Sequence, residues 1–285
     1  MLVKRLSFVC LVFFSCLVNA EVVEEIITLP VSVKNIYGGE FKHDFIVTVF
    51  RDKTRFKSPW LILNHGRPVS GALQVGRQRY SKNSKYFVEK GFIVFVPTRV
   101  GYGPTGGPDV EDAGSCHNRN YPAVHQAALE QVSTVIDYAQ KLPYVESGKG
   151  LVVGQSFGGA TAIAASTLSM DGLKGVINFA GGGGGNPQTR PGEPCSQELL
   201  KKTYRSYGQI SKVPSLWLYS VNDQFWGPLY PQEWFQSFKE EADKNKILTR
   251  FVSLPPYKQD GHSIFSGNPE SWKSDVELFI KDLGF

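Results

Sequence analysis

The residues most able to do chemistry in this chain lie in Gly154-Gln155-Ser156-Phe157-Gly158-Gly159. The run fits G-x-S-x-G and stands between an apolar stretch, Leu151-Val152-Val153, and an alanine-rich one. A turn from buried strand to helix this tight holds a serine in strained backbone geometry with its hydroxyl exposed, and the flanking glycines leave room for crowded neighbours. At a helix N-terminus the dipole favours developing negative charge. A serine alone is a poor nucleophile; it needs a base and a group that orients the base. The chain has five histidines, His43, His65, His117, His125 and His262. With partners in the chain order serine, acid, histidine, Asp223 follows an apolar run at 216–221, and His262 follows Arg250 to Leu254. Asp260 is a rival acid, although two residues from His262 it needs an awkward loop to reach the imidazole. The chemistry of such a set is nucleophilic acyl transfer.

His65-Gly66-Arg67-Pro68 comes directly after Trp60 to Leu63. In folds that present a serine on such a strand–turn–helix, a loop at this position supplies one backbone N–H to an oxyanion, and the residue after the nucleophile supplies the other. That singles out Arg67 and Phe157, since Pro68 has no N–H. His65 reads as a structural loop residue rather than a second base.

The elements that position these residues follow from hydrophobic patterning. Val22 to Val33 and Phe45 to Phe50 flank Gly38-Gly39 and predict an antiparallel hairpin. Short apolar runs then appear without alternation at 60–63, 92–96, 151–153, 175–179 and 216–219, as in parallel strands buried on both faces. Helical segments fall between them at 80–90, 123–141, 156–169, 231–244 and 272–283. Strands alternating with helices predict an α/β domain with a mostly parallel, doubly wound sheet, helices on both faces and an antiparallel N-terminal hairpin. Gly181 to Gly185 directly follows a strand, so it reads as a loop inside the domain rather than a linker. The polar segment 186–211 reads as a short cap insertion.

With these residues in place the chain resembles the α/β-hydrolase superfamily, in particular its dienelactone-hydrolase-like serine esterase and peptidase branch. The resemblance runs from about Trp60 to the C-terminus. It rests on Leu63-Asn64-His65-Gly66, Arg99-Val100-Gly101-Tyr102-Gly103, Gly154 to Gly159, Asn222-Asp223-Gln224-Phe225-Trp226-Gly227-Pro228 and Asp260-Gly261-His262-Ser263. It implies a triad of Ser156, Asp223 and His262 with an oxyanion hole at Phe157 and Arg67. True dienelactone hydrolases carry cysteine where this chain has Ser156. The resemblance therefore implies ester, thioester or peptide acyl transfer rather than dienelactone cleavage. Tyr102 and Trp226 are expected near the substrate, where aromatic rings suit an apolar acyl or aryl group.

Composition bounds the rest. The 285 residues suffice for one large domain. A net charge of +5 without a dense Lys/Arg stripe excludes a dedicated nucleic-acid binder. Lys4 and Arg5, an apolar run from Leu6 to Val18, and Val18-Asn19-Ala20 read as a secretory signal over 1–20. An uncleaved anchor and a lipoprotein on Cys16 are the weaker alternatives. The domain is then 21–285, with net charge +3 once Lys4 and Arg5 are removed, and no stable membrane anchor. It keeps Cys116 and Cys195 of the four cysteines, an even pair suited to one disulfide in a secreted or periplasmic protein, free thiols being the alternative. The reading requires no cofactor and no metal. It expects a small-molecule ester or a short peptide as substrate. The rivals to an esterase are a serine peptidase and a non-catalytic binding member.

Overall fold

The computed structural model describes residues 21–285, so the 1–20 stretch lies outside the described residues. The hairpin forms as expected. β1 (Val22–Lys34) pairs antiparallel with β2 (Glu40–Asp52), in register from Val22 opposite Asp52 to Lys34 opposite Glu40. Along β1, Leu29, Val31 and Val33 face inward and alternate with exposed Thr28, Pro30, Ser32 and Lys34, the period-2 pattern of a strand covered on one side. Asn35 closes the turn: its Oδ1 accepts the amides of Tyr37 and Gly39 at 3.0 and 2.9 Å, leaving Gly38 at φ 79°, a conformation that favours glycine.

Among the described residues the sheet has eight strands in the order β1-β2-β4-β3-β5-β6-β7-β8. The further strands are β3 (Ser58–Asn64), β4 (Ile93–Thr98), β5 (Val145–Gln155), β6 (Leu173–Phe179), β7 (Ser215–Ser220) and β8 (Thr249–Leu254). β2 meets β4 antiparallel, and every pair from β4 to β8 is parallel. Successive side chains of the central strands enter two separate cores. Trp60, Ile62, Val152, Val176 and Trp217 pack on one face; Leu61, Leu63, Val153, Ile177 and Leu216 pack on the other. Burial on both faces is why these runs lack alternation.

The first face is covered by α2 (Tyr121–Ala139), α3 (Phe157–Ala165), α4 (Gln197–Ile210) and α5 (Tyr230–Lys244). The second is covered by α1 (Ser81–Glu89), the short α6 (Ile264–Gly267) and α7 (Lys273–Asp282). Asn120 caps α2 by accepting the Ala123 amide at 3.2 Å. α3 is buried along its whole length, which explains its run of Gly, Ala and Thr: only small residues let it approach β5 and β6 closely. α4 falls inside the segment expected to be a polar cap. Leu200, Tyr204 and Gly208 recur there every four residues and are buried, a helical stripe masked by the polar residues between them.

Candidate active site

The loops that carry the sequence-predicted site residues all leave the C-terminal ends of strands, the edge where open α/β sheets bind ligands. Ser156 follows β5 and has φ 58° and ψ −127°, a strained conformation of the kind stored at functional sites. Its glycines are demanded by space. A Cβ on Gly154 would lie 1.9 Å from the Gly158 carbonyl oxygen, and one on Gly158 would lie 2.3 Å from that of Asn64. The helix can start immediately behind the serine only if both side chains are absent. Among the described residues the Ser156 hydroxyl has no hydrogen-bond partner, and it shares a cavity with His262.

His262 Nδ1 is 2.9 Å from Asp223 Oδ2. With the carboxylate as acceptor, Nδ1–H is the donor of this bond, and Nε2 is the ring nitrogen left for another partner. Asp223 follows β7, is fully buried, and accepts the Phe225 and Trp226 amides on Oδ1 at 2.8 and 3.2 Å. Asp260, the rival acid, accepts the backbone amides of His262 and Gln224, each at 2.9 Å; it shapes the loop while Asp223 takes the ring. Phe225 stacks on the imidazole with centroids 3.9 Å apart, and Trp226 meets it edge-on at 5.4 Å.

Phe157 opens α3, where first-turn amides have no acceptor within the helix. Arg67 follows β3, and among the described residues its amide also has no acceptor. The loop that carries Arg67 is held by His65. The Arg99 amide donates to His65 Nε2 at 3.2 Å, so Nδ1 bears the proton and donates to the Gly66 carbonyl at 2.7 Å. Burial, reinforced by Arg99, holds His65 well below the usual imidazole pKa, so it stays neutral. That is a structural task, as its loop position implied.

Sequence reasoning missed the charged layer beneath this loop. Arg99 and Glu111 are both fully buried and paired, Nε to Oε1 at 2.5 Å and Nη2 to Oε2 at 3.1 Å. Arg99 also donates to the His65 carbonyl at 3.0 Å, and the Tyr102 hydroxyl donates to Glu111 at 2.5 Å. Burial and the neighbouring Glu111 push the Tyr102 phenol up, so it remains a donor. The Arg67 side chain forks onto Asp109 and reaches the Tyr102 hydroxyl at 3.3 Å. The available signal was a charged residue, Arg99, directly after a strand buried on both faces.

A cavity opens on each side of Ser156. One contains His262 with Gln78, Tyr80, Tyr102 and Gln155. The other contains Phe157, Trp226, Gly182 to Gly185 and three arginines, Arg67, Arg119 and Arg190. Trp226 is nearly buried, its indole N–H donating to the Ala180 carbonyl at 2.7 Å, so it offers little surface to the cavity it lines. The second cavity is therefore less apolar than its aromatic residues alone imply. Arg67 is balanced by Asp109, but neither Arg119 nor Arg190 has a carboxylate partner among the described residues. Arg119 Nε is buried with no hydrogen-bond partner. Cys116 and Cys195 are joined in a disulfide, which ties the segment bearing Arg119 to the segment bearing Arg190 at the rim of this cavity. Among the described residues no group of three His, Cys, Asp or Glu side chains is placed to hold a metal ion. No helix among them is long and apolar enough to cross a membrane.

Comparison with protein families matches residues 75–275 to the dienelactone hydrolase family. No curated protein matches the chain. Among solved structures, the chain is similar to acetyl xylan esterase 1 from Thermoanaerobacterium sp., with 14% identity, 94% of this chain and 89% of the other covered, and a TM-score of 0.55. It is also similar to the acylaminoacyl peptidase of Pyrococcus horikoshii, with 14% identity and a TM-score of 0.58, covering 90% of this chain but only 41% of the longer peptidase. At these identities the likeness is one of fold, and the fold is that of α/β-hydrolases.

Proposed function

The chain belongs to the dienelactone hydrolase family, and from that membership and the site geometry we propose that it is a serine hydrolase cleaving carboxylic esters or related acyl bonds through an acyl-enzyme on Ser156. The observation that carries this reading is the His262–Asp223 contact, because it leaves Nε2 free to accept a proton in the cavity that holds Ser156.

In this reading Nε2 takes the Ser156 proton as Oγ attacks the acyl carbon. The resulting oxyanion accepts the N–H groups of Phe157 and Arg67. As the carbon–oxygen bond to the leaving group breaks, His262 returns the proton to the departing alkoxide and an alcohol leaves. Water then attacks the acyl-serine with His262 again as base, and the acid and free Ser156 are released. Asp223 stays ionised throughout, orienting the imidazole and stabilising its charged form.

The leaving group must lie where His262 can protonate it, hence in the cavity that contains His262. The acyl group then occupies the cavity with Phe157 and the arginines. Two guanidinium groups without carboxylate partners among the described residues, beside a Glu111 already paired with Arg99, make that cavity suited to an acyl chain bearing an anionic end. We infer export to an oxidising compartment, outside the cell or periplasmic; the Cys116–Cys195 bond supports it.

The test is labelling by a fluorophosphonate probe, with Ser156→Ala as control. Labelling of the wild type alone is expected, together with turnover of p-nitrophenyl esters. A wild type that neither labels nor turns over esters refutes the proposal. Turnover of aminoacyl anilides without ester turnover redirects it to a peptidase.

A further inference from the structure

Gln155, immediately before the nucleophile, makes two bonds that the chemistry above does not use. Its Nε2 donates to the main-chain carbonyl of His262 at 3.1 Å, and its Oε1 accepts the Tyr80 hydroxyl at 3.2 Å. The amide has one orientation that serves both, since a carbonyl can only accept. The Tyr80 oxygen in turn receives the Gly66 amide at 3.4 Å. The direction of donation therefore runs from Gly66 N–H to Tyr80, from the Tyr80 hydroxyl to Gln155, and from Gln155 to His262. The three ends of this bridge are the neighbour of Arg67, the neighbour of Ser156, and His262 itself.

Tyr80 occupies its place against its backbone preference. It has φ 45° and ψ 46° just before α1, a region that a bulky side chain enters only when its surroundings impose it. Its ring packs against Phe265, two residues past Ser263, with centroids 5.7 Å apart. Burial pushes its hydroxyl up, against the opposing pull of the Gly66 amide and Arg99, so it stays protonated and donates.

We propose that Tyr80 and Gln155 are positioning residues whose hydrogen-bonded bridge fixes the His262 loop and the Gly66–Arg67 loop relative to Ser156. The proposal rests on the triad reading. Misplacing a reacting group by about 1 Å costs on the order of 100-fold in rate, and this bridge hydrogen-bonds side chains to all three parts at the mouth of the His262 cavity.

The test compares Tyr80→Phe, Gln155→Met and their double variant with wild type, using p-nitrophenyl acetate kinetics, fluorophosphonate labelling rate and thermal melting. Tyr80→Phe removes one oxygen from a ring that stays packed on Phe265, so it provides a folded variant independent of Gln155→Met. The expected result is a fall of about 10–100-fold in kcat and in labelling rate, with KM and Tm little changed. The double variant falls no further than the worse single one, because both break one bridge. Folded variants with wild-type kcat and labelling rate overturn the proposal. So does a rise in KM with kcat unchanged, or a kcat that falls only in step with Tm. A wild type that does not label refutes the triad reading itself, which distinguishes that failure from this one.

Discussion

His262 Nδ1 lies 2.9 Å from the buried carboxylate of Asp223, with Phe225 stacked on a face of the imidazole. The carboxylate selects the tautomer and the phenyl ring limits its tilt. Asp223→Asn replaces an acceptor with an amide that can donate, which favours the wrong tautomer while preserving shape. Its kcat for p-nitrophenyl esters is expected to fall about 10⁴-fold with KM nearly unchanged. Steady-state kinetics checks this; a fall below tenfold would place the acid elsewhere.

Arg119 and Arg190 line the proposed acyl cavity and have no carboxylate partners among the described residues. Losing one charge-assisted hydrogen bond costs about 1.5–3 kcal/mol. Arg119→Gln and Arg190→Gln should each raise KM for p-nitrophenyl hemisuccinate roughly 10–100-fold. KM for the neutral p-nitrophenyl butyrate should scarcely move. Equal effects on both esters would remove the case for an anionic acyl end.

The Cys116–Cys195 bond spans 79 positions. Closing a loop of that size stabilises a fold by roughly 3–5 kcal/mol in the chain-entropy model. The double variant Cys116→Ser, Cys195→Ser should lose an amount of that order in denaturant unfolding. Wild type should lose a similar amount under reducing conditions, whereas the variant should be indifferent to reductant.

Arg99 and Glu111 form an ion pair with no solvent exposure. Arg99→Met leaves Glu111 as a buried, unpaired carboxylate and releases the His65 carbonyl. A loss of about 3–5 kcal/mol is expected, read as a drop in the urea midpoint with unchanged slope. A loss below 1 kcal/mol would show that water replaces the guanidinium.

His125 is fully buried against Tyr121, Phe157 and Tyr207, and burial lowers its pKa to about 3. An unfolded histidine titrates near 6.5, so the unfolded state binds this proton first as pH falls. The stability due to neutral His125 is complete above about pH 6.5 and is lost as pH falls from there towards 3. At pH 4 the loss is on the order of 3 kcal/mol. His125→Gln should flatten the acid limb of a stability–pH curve between pH 6 and 4; an unchanged limb would mean the ring protonates without unfolding.

What the sequence determined by itself is what short segments encode. Uninterrupted apolar runs marked the doubly buried strands, and an alternating run marked the half-covered β1. The crowding of Gly154, Ser156 and Gly158 marked a strand–turn–helix that tolerates nothing larger. Asp223 and His262 could be singled out as the proposed acid and base because they follow the last two strands. Tertiary structure decided everything that depends on which loops converge. Asp260 is nearer to His262 in sequence than Asp223, yet its carboxylate is occupied by the amides of His262 and Gln224, and Asp223 meets the ring. Tyr80 and Gln155 are 75 positions apart, and Gln155 and His262 are 107 apart. Arg119 and Arg190 reach one cavity only because the sheet brings the loops after β4 and β6 to the same edge and the disulfide joins them. No local pattern marks such contacts, because strand order and twist, rather than neighbouring residues, set which side chains meet.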